Sequence, residues 1–213
     1  MQKKVRLANP QPYHHGDLRR ALIDTALELI AEEQAWAFSL REVARRAGVS
    51  HQAPYNHFPE KQDLLSAVAI VGFERLRERL LRAMAGIDAP EALIETIGRT
   101  YVRLGLENPA LYRLMFGPAL DDVGPGDRPT AVRSAGAEAR AVLVDAIQRG
   151  ARSGVFAIPA ESVKDQVLAA HVFWSALHGL TTLAIDRLMA PGVTVDDVIE
   201  RLLRTEIKGL RTP

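Results

Sequence analysis

Apolar residues recur at three- and four-residue intervals along almost the whole chain. Leu18, Leu22, Thr25, Ala26, Leu29 and Ile30 keep that interval and predict a first helix, with Asp17 placed to help start it. Ser39 precedes Leu40, Val43 and Ala44, and Glu42 stands three residues after it, the pattern of a capped short second helix. Gly48 ends that helix, because glycine takes left-handed backbone without steric cost. Ser50 is then placed to cap a third helix, which Phe58-Pro59 stops, since a residue before proline resists helical angles. A fourth, longer helix opens at Pro59 or Glu60 and runs through Leu64, Leu65, Val68, Phe73, Leu76 and Leu80 to about Met84. Further helices are predicted over 91–107, over NPALYRLMFG entered through Pro109, and over about 130–153, 161–188 and 194–208, with GPALDDVGPGDRP as a loop. No alternating strand pattern of useful length, internal repeat or low-complexity tract occurs. The expected fold class is all-α: an N-terminal three-helix bundle joined by the fourth helix to a larger helical bundle. The break is expected between Ala69 and Arg79, giving a basic tail at 1–14, a first domain at 15–75 and a second at 76–213.

Composition narrows the chemistry. With no cysteine, disulfides, thiolate catalysis and cysteine metal sites are excluded, and a reducing cytoplasm fits. Lys and Arg total 27 against 26 Asp and Glu, so overall charge gives no case for nucleic acid, and any such case must rest on pattern. The first residues are basic and polar and lack the apolar stretch of a signal peptide; Lys3, Lys4 and Arg6 are candidates for phosphates. From Gln166 to Ile185 the chain carries no Asp, Glu, Lys or Arg, long enough to span a bilayer. His171, Ser175, His178, Gly179, Thr181 and Thr182 interrupt that run and no strongly basic segment flanks it, so a helix buried on most sides of a bundle or dimer is expected, and no membrane partner.

A short helix, a turn at Gly48 and a second short helix make a helix-turn-helix, whose second helix enters the major groove. On it Val49, Pro54 and Phe58 fall on the inward side, and His51, Gln52, Tyr55 and Asn56 form one outward face. Those side chains can bond base edges and phosphates, and Gln and Asn can pair bidentately with adenine. Arg41, Arg45, Arg46 and Lys61 flank the face as candidate phosphate contacts. With Ser50 as cap, Pro54 would be the fourth helical residue, near the zone where backbone N–H groups lack partners in any case. A tightened or slightly irregular first turn is therefore expected.

The string FSLREVARRAGVSHQAPYNHFPEKQDLL, Phe38 to Leu65, resembles the DNA-binding domain of the TetR family of bacterial transcriptional regulators. The match lies in Ala-Gly-Val-Ser, then Tyr-x-His-Phe, then Lys ahead of Leu-Leu; the departure is Pro54, where the family commonly has Leu. The resemblance implies base or groove contacts at Arg41, His51, Gln52 and Tyr55, and phosphate contacts at Asn56, His57 and Lys61. Arg45 and Ser50 complete the candidate DNA-binding set. It also implies a homodimer on a palindromic operator in double-stranded DNA, and a C-terminal bundle that dimerises and binds an unidentified small-molecule effector. The uncharged helix independently asks for a dimer, packed with the last helix (Val195, Val198, Leu202, Leu203) into a four-helix interface.

FWSALHGLTTLA resembles, less specifically, a subgroup with Trp, three residues, then His-Gly, matched by Trp174, His178 and Gly179. His171 and His178 stand roughly 10 Å apart along a helix axis, too far for one metal ion without other ligands, and no cofactor is expected. Gly179 is suited to close approach by another helix. Candidate effector contacts are Tyr101, Tyr112, Met115, Phe116, His171, Trp174 and His178, polar-tipped or soft side chains of the kind that line bundle pockets, with His178 read first as a hydrogen-bonded interior residue. An enzyme is disfavoured: the chain has no Gly-x-Ser-x-Gly elbow, no phosphate-binding glycine loop and no His-Glu-x-x-His. Gly124 to Asp127 reads as a turn. A dimeric DNA-binding protein with a solid core and no effector is the alternative.

Overall fold

A computed structural model describes residues 15–121 and 128–211. The basic tail with Lys3, Lys4 and Arg6, and the turn at Gly124 to Asp127, lie outside the described residues. Eight α-helices follow in order: α1 His15–Glu33, α2 Leu40–Arg46, α3 Lys61–Met84, α4 Pro90–Glu107, α5 Pro109–Phe116, α6 Thr130–Arg152, α7 Val163–Ile185 and α8 Val195–Arg211. Two 3₁₀ turns, Ala53–Asn56 and Pro118–Leu120, complete the described elements, among which there is no strand.

Within α3 the chain divides after Leu64 into two compact units. This is earlier in the helix than the Ala69–Arg79 expected from sequence. From Gly72 onward α3 already packs in the second unit, with Gly72 against Met115 and Phe73 edge-on to Phe116 at 5.2 Å.

In the first unit, α1 buries Leu22, Ala26, Leu29 and Ile30, and α2 buries Leu40, Val43 and Ala44. Ser39 caps α2 as expected, its Oγ accepting the Glu42 N–H at 3.2 Å. The Glu42 carboxylate turns to Arg45 at 2.6 Å. Gly48 has φ +70°, the left-handed conformation the turn requires.

The third helix differs from expectation. It is a 3₁₀ turn over Ala53–Asn56, preceded by Gln52, and Ser50 makes no side-chain cap. Pro54 is the cause: it has no N–H to continue an α-helical ladder. The turn closes instead through i to i+3 bonds, Ala53 N–H to Ser50 O at 3.0 Å and Tyr55 N–H to Gln52 O at 3.2 Å. The tightening expected in the first turn thus extends over the whole segment. Buried Pro54 and Phe58 anchor it.

The second unit is built on α4, which packs against α6, α7 and α8. Leu93, Ile94, Ile97, Tyr101 and Val102 of α4 are buried. Gly105 lets α7 and α5 approach closely: an added Cβ would lie 2.4 Å from Thr181 Cγ2 and 3.0 Å from the Tyr112 ring. At its other end α8 starts from Thr194, whose Oγ1 accepts the Asp197 N–H at 3.1 Å while the Asp197 carboxylate accepts the Thr194 N–H at 3.0 Å.

α7 is not covered on most sides within one chain, as the sequence reading expected. It buries Gln166, Ala170, Phe173, Leu177, Leu180 and Thr181, and leaves Leu168, Val172 and Leu183 on the surface at 58, 53 and 45% exposure. Among the described residues it is the one helix long and apolar enough to cross a membrane, by length and composition. On α8, Val195, Val198 and Leu202 are half-buried, but Leu203 points into the unit and lies over Gly98, correcting its assignment to the outer face.

Filling the notch at Gly105 should cost stability. Overpacking costs about 1–3 kcal/mol, and alanine's helix preference over glycine returns at most about 1 kcal/mol. Gly105→Ala is therefore expected to lower the unfolding free energy, read from the urea midpoint, because buried, β-branched Thr181 cannot swing away.

Candidate functional site

The segment from Ser50 to Asn56 presents its polar side chains outward. Ser50, His51, Gln52 and Asn56 are exposed, and Tyr55 is 36% exposed while its neighbour Pro54 is buried. This is the division between faces that the sequence predicted, now carried by a 3₁₀ turn. Arg41 is exposed on α2. Arg45 is engaged by Glu42 at 2.6 Å, and Arg46 bonds Glu32. His57 is half-buried beside Phe58. Lys61 is half-buried with its Nζ 5.4 Å from the Phe38 ring centroid, and burial lowers its ammonium pKa. Sequence reading missed Arg19, whose guanidinium sits 5.2 Å from the Phe58 ring centroid at the edge of this surface. Its signal was a cation one residue after Leu18, on the flank of the apolar stripe of α1.

In the second unit, five of the seven predicted effector residues converge. Trp174 Nε1 donates to Tyr101 Oη at 3.0 Å, Tyr101 and Tyr112 share a hydroxyl bond of 2.9 Å, and Tyr112 Oη lies 2.6 Å from His178 Nδ1. Phe116 packs against this cluster, 4.7 Å from Tyr112 and 5.1 Å from His178 between ring centroids. Tyr101 Oη also lies 3.3 Å from His178 Nδ1, and an arrangement in which the indole donates to Tyr101, Tyr101 to Tyr112 and Tyr112 to His178 uses each tyrosine proton once. That arrangement requires a neutral imidazole carrying its proton on Nε2. Burial pushes the Tyr112 hydroxyl up to about 12, raises Tyr101 well above its ordinary value, and lowers His178. All three shifts favour the uncharged forms that the chain requires.

Two predicted residues stand apart. Met115 is fully buried with its sulfur against Gly72. His171 is exposed, its Nδ1 3.1 Å from the Val167 carbonyl, and touches the cluster only edge-on through Trp174.

The clustered polar tips bond one another and do not face a large cavity. The apolar space beside them, walled by Leu76, Leu80, Tyr101 and Leu143 among others, measures about 30 Å³, room for about one water. Next to it lies an open cleft of about 480 Å³, walled by Phe73, Phe116, Arg128, Gly136, Arg140 and Trp174. Arg128 closes one end: it bonds Asp121 at 3.2 Å and donates to the Met115 and Gly117 carbonyls that α5 leaves unpaired. Arg128 and Arg140 were not anticipated from sequence. Arg140 was legible as a lone cation among Val132, Gly136, Ala139 and Leu143 on one face of α6.

The His178 shift has a pH consequence. Its folded pKa lies below the ordinary 6.5, so the unfolded chain binds a proton more readily as pH falls. The cluster's contribution is complete above that value and is lost below it. Wild-type stability is expected to fall more steeply than that of His178→Gln between about pH 7 and pH 5, measured by urea unfolding. Tyr112→Phe, which leaves the imidazole without its donor, should cost about 1–3 kcal/mol at neutral pH.

Comparison with known proteins gives a consistent family. Residues 94–205 match the tetracyclin repressor-like C-terminal domain, and residues 22–68 match the bacterial regulatory proteins of the tetR family. Over 85 residues the chain is 32% identical to the HTH-type transcriptional regulator BetI of Rhizobium meliloti, covering 40% of this chain and 42% of that protein. The chain spans less than half the length of the curated relatives it matches. A solved structure of unknown function from Rhodococcus sp. RHA1 is 33% identical, covers 95% of this chain and 100% of its own, and superposes with a TM-score of 0.79. A TetR/AcrR regulator from Thermobifida fusca shares the fold at 24% identity and a TM-score of 0.63, over 92% of this chain and 100% of its own. The all-α fold, the N-terminal match and a C-terminal match over more than half of the sequence lead to one conclusion: the chain belongs to the TetR family of bacterial transcriptional regulators.

Proposed function

We propose that the chain acts in the cytoplasm as a homodimeric, sequence-specific DNA-binding regulator whose operator affinity is lowered by a small-molecule effector. The observation that carries the DNA half is the Ser50–Asn56 segment, a polar outward face held on buried Pro54 and Phe58. Gln52, His51, Tyr55 and Arg41 serve as the groove contacts, and Asn56, His57, Arg45 and Lys61 as the phosphate contacts. Arg45 would exchange Glu42 for phosphate, an exposed pairing that costs little to break.

Dimerisation is supported by the apolar stripe of α7. Leu168, Val172 and Leu183 share one face with Gly179, where no atom lies within 4 Å of a would-be Cβ. A second copy of α7 and α8 would cover that stripe in an isologous four-helix contact. A dimer sets two recognition segments about one turn of DNA apart. An effector that binds better to another arrangement of the second unit shifts the population away from that spacing. α3 is the route for the shift because it crosses the boundary at Leu64.

The effector half rests on the cleft beside Trp174 and Phe116, with Tyr101 next to it. Tyr112, Met115 and His178 act behind that wall, as support, and His171 lies outside it on the surface. The likeness to the Trp-x-x-x-His-Gly subgroup stays part of this reading. The tight packing of the tyrosine cluster favours the second reading, a regulator with no effector.

Duplexes selected from a random pool and titrated by fluorescence anisotropy at physiological salt test the DNA half. Salt-sensitive binding to a palindromic site is expected, and Tyr55→Ala or Gln52→Ala should weaken it by about 1–3 kcal/mol each, with His178→Gln neutral. Binding no tighter than to scrambled DNA would refute the assignment. Light scattering on Leu168→Glu combined with Val172→Glu should show a monomer where the wild type is a dimer, with operator binding lost in parallel.

A further inference from the structure

We propose that the cleft of about 480 Å³ seats an amphiphilic anion, an apolar body ending in a carboxylate, with Arg140 as the residue that selects the charge. The inference deepens the effector reading above and rests on it. Its size falls within the range of ligand pockets.

Arg140 is half-buried on the inward side of α6, on a face otherwise made of Val132, Gly136, Ala139 and Leu143. Its guanidinium lies 5.7 Å from the Trp174 ring centroid. Among the described residues it has no carboxylate partner, whereas Arg128 at the other end of the cleft is bound by Asp121 and two carbonyls. Arg133, also on the cleft wall, bonds only the Thr130 hydroxyl, at 3.3 Å. Among the described residues, one carboxylate, that of Asp121, stands with three guanidinium groups on the cleft wall.

A guanidinium partly withdrawn from water and held by a ring face alone keeps donors in a fixed fork that matches a carboxylate. The rest of the wall suits the other end of such a molecule. Phe73, Phe116 and Trp174 supply apolar faces, and Gly136 lies against the edge of the Phe73 ring, where an added Cβ would sit 3.4 Å from its Cζ. Arg140, Phe73, Gly136 and Trp174 also wall the small enclosed space toward Leu76 and Leu80, which gives the apolar end a direction in which to extend. A cationic ligand would meet the arginines as like charge, and a neutral one would leave Arg140 without its partner.

The chain has two tryptophans, so in a Trp36→Phe background Trp174 reports the site alone. Decanoate, 1-decanol and decyltrimethylammonium share one tail and differ in head charge, and each is titrated against this fluorescence without DNA. Decanoate is expected to bind at least about tenfold more tightly than decanol, with no saturable signal from the cation. Arg140→Gln should bring decanoate down to the affinity of decanol, while Arg140→Lys keeps part of the preference. Gly136→Leu should weaken decanoate and decanol together by filling the cleft wall beside Phe73, with far-UV circular dichroism as the check on folding. Equal binding of decanoate and decanol, a preference that survives Arg140→Gln, or no decanoate binding overturns the proposal. Decanoate that binds through Arg140 yet leaves operator affinity unchanged would instead sink the effector reading and spare the site.

Discussion

The second unit depends on one chain of hydrogen bonds, from Trp174 through Tyr101 and Tyr112 to His178. It ties α4, α5 and α7 together with groups that would each be costly to bury alone. Each of the four side chains has a polar partner within the cluster, and bonds in series strengthen one another. It holds only while Tyr101 and Tyr112 stay protonated and His178 stays neutral, which burial enforces. The close approach that makes it possible comes from Gly105, which lets Thr181 and the Tyr112 ring sit against the backbone of α4.

α7 shows how one helix serves two environments. Its inward face carries Phe173, Leu177, Leu180 and the polar cluster, and its outward face carries Leu168, Val172 and Leu183. The absence of charge over twenty residues leaves both sides of the helix apolar. An ordinary surface helix would place charged residues on the second side. The half-buried Val195, Val198 and Leu202 of α8 belong with that outer stripe, and Leu203 with the core.

In the first unit a proline sets the geometry of the surface. Pro54 deletes a backbone donor and so enforces 3₁₀ closure, yet its ring, with Phe58, anchors the segment from below. A tighter helix changes the angular spacing of successive side chains from 100° to about 120°. Tyr55 and Asn56 remain exposed because they follow buried Pro54 by one and two positions, offsets that turn a side chain away from the anchor in either geometry.

The eight helices, the Ser39 cap, the turn at Gly48 and the polar outward face of the recognition segment could all be read in the sequence. Each is fixed by neighbours a few residues apart, through periodicity, capping or a backbone angle only glycine takes cheaply. The break between units, expected between Ala69 and Arg79, falls after Leu64 instead, because the residues of α3 from Gly72 onward pack on α5 of the second unit. What local pattern cannot carry is which side chains meet across helices. Tyr101, Tyr112, Trp174 and His178 looked like separate pocket residues, and only packing showed their polar atoms consumed by one another. His171 shares a helical stripe with Trp174 and His178 but lies outside the cluster, exposed and bonded to the Val167 carbonyl of its own helix. Arg128 and Arg140 gain their roles from partners ten or more residues away, Met115 and Gly117 for one and Trp174 for the other. Tertiary structure decided those pairings, since a charge or hydroxyl takes its meaning from the groups that replace its water.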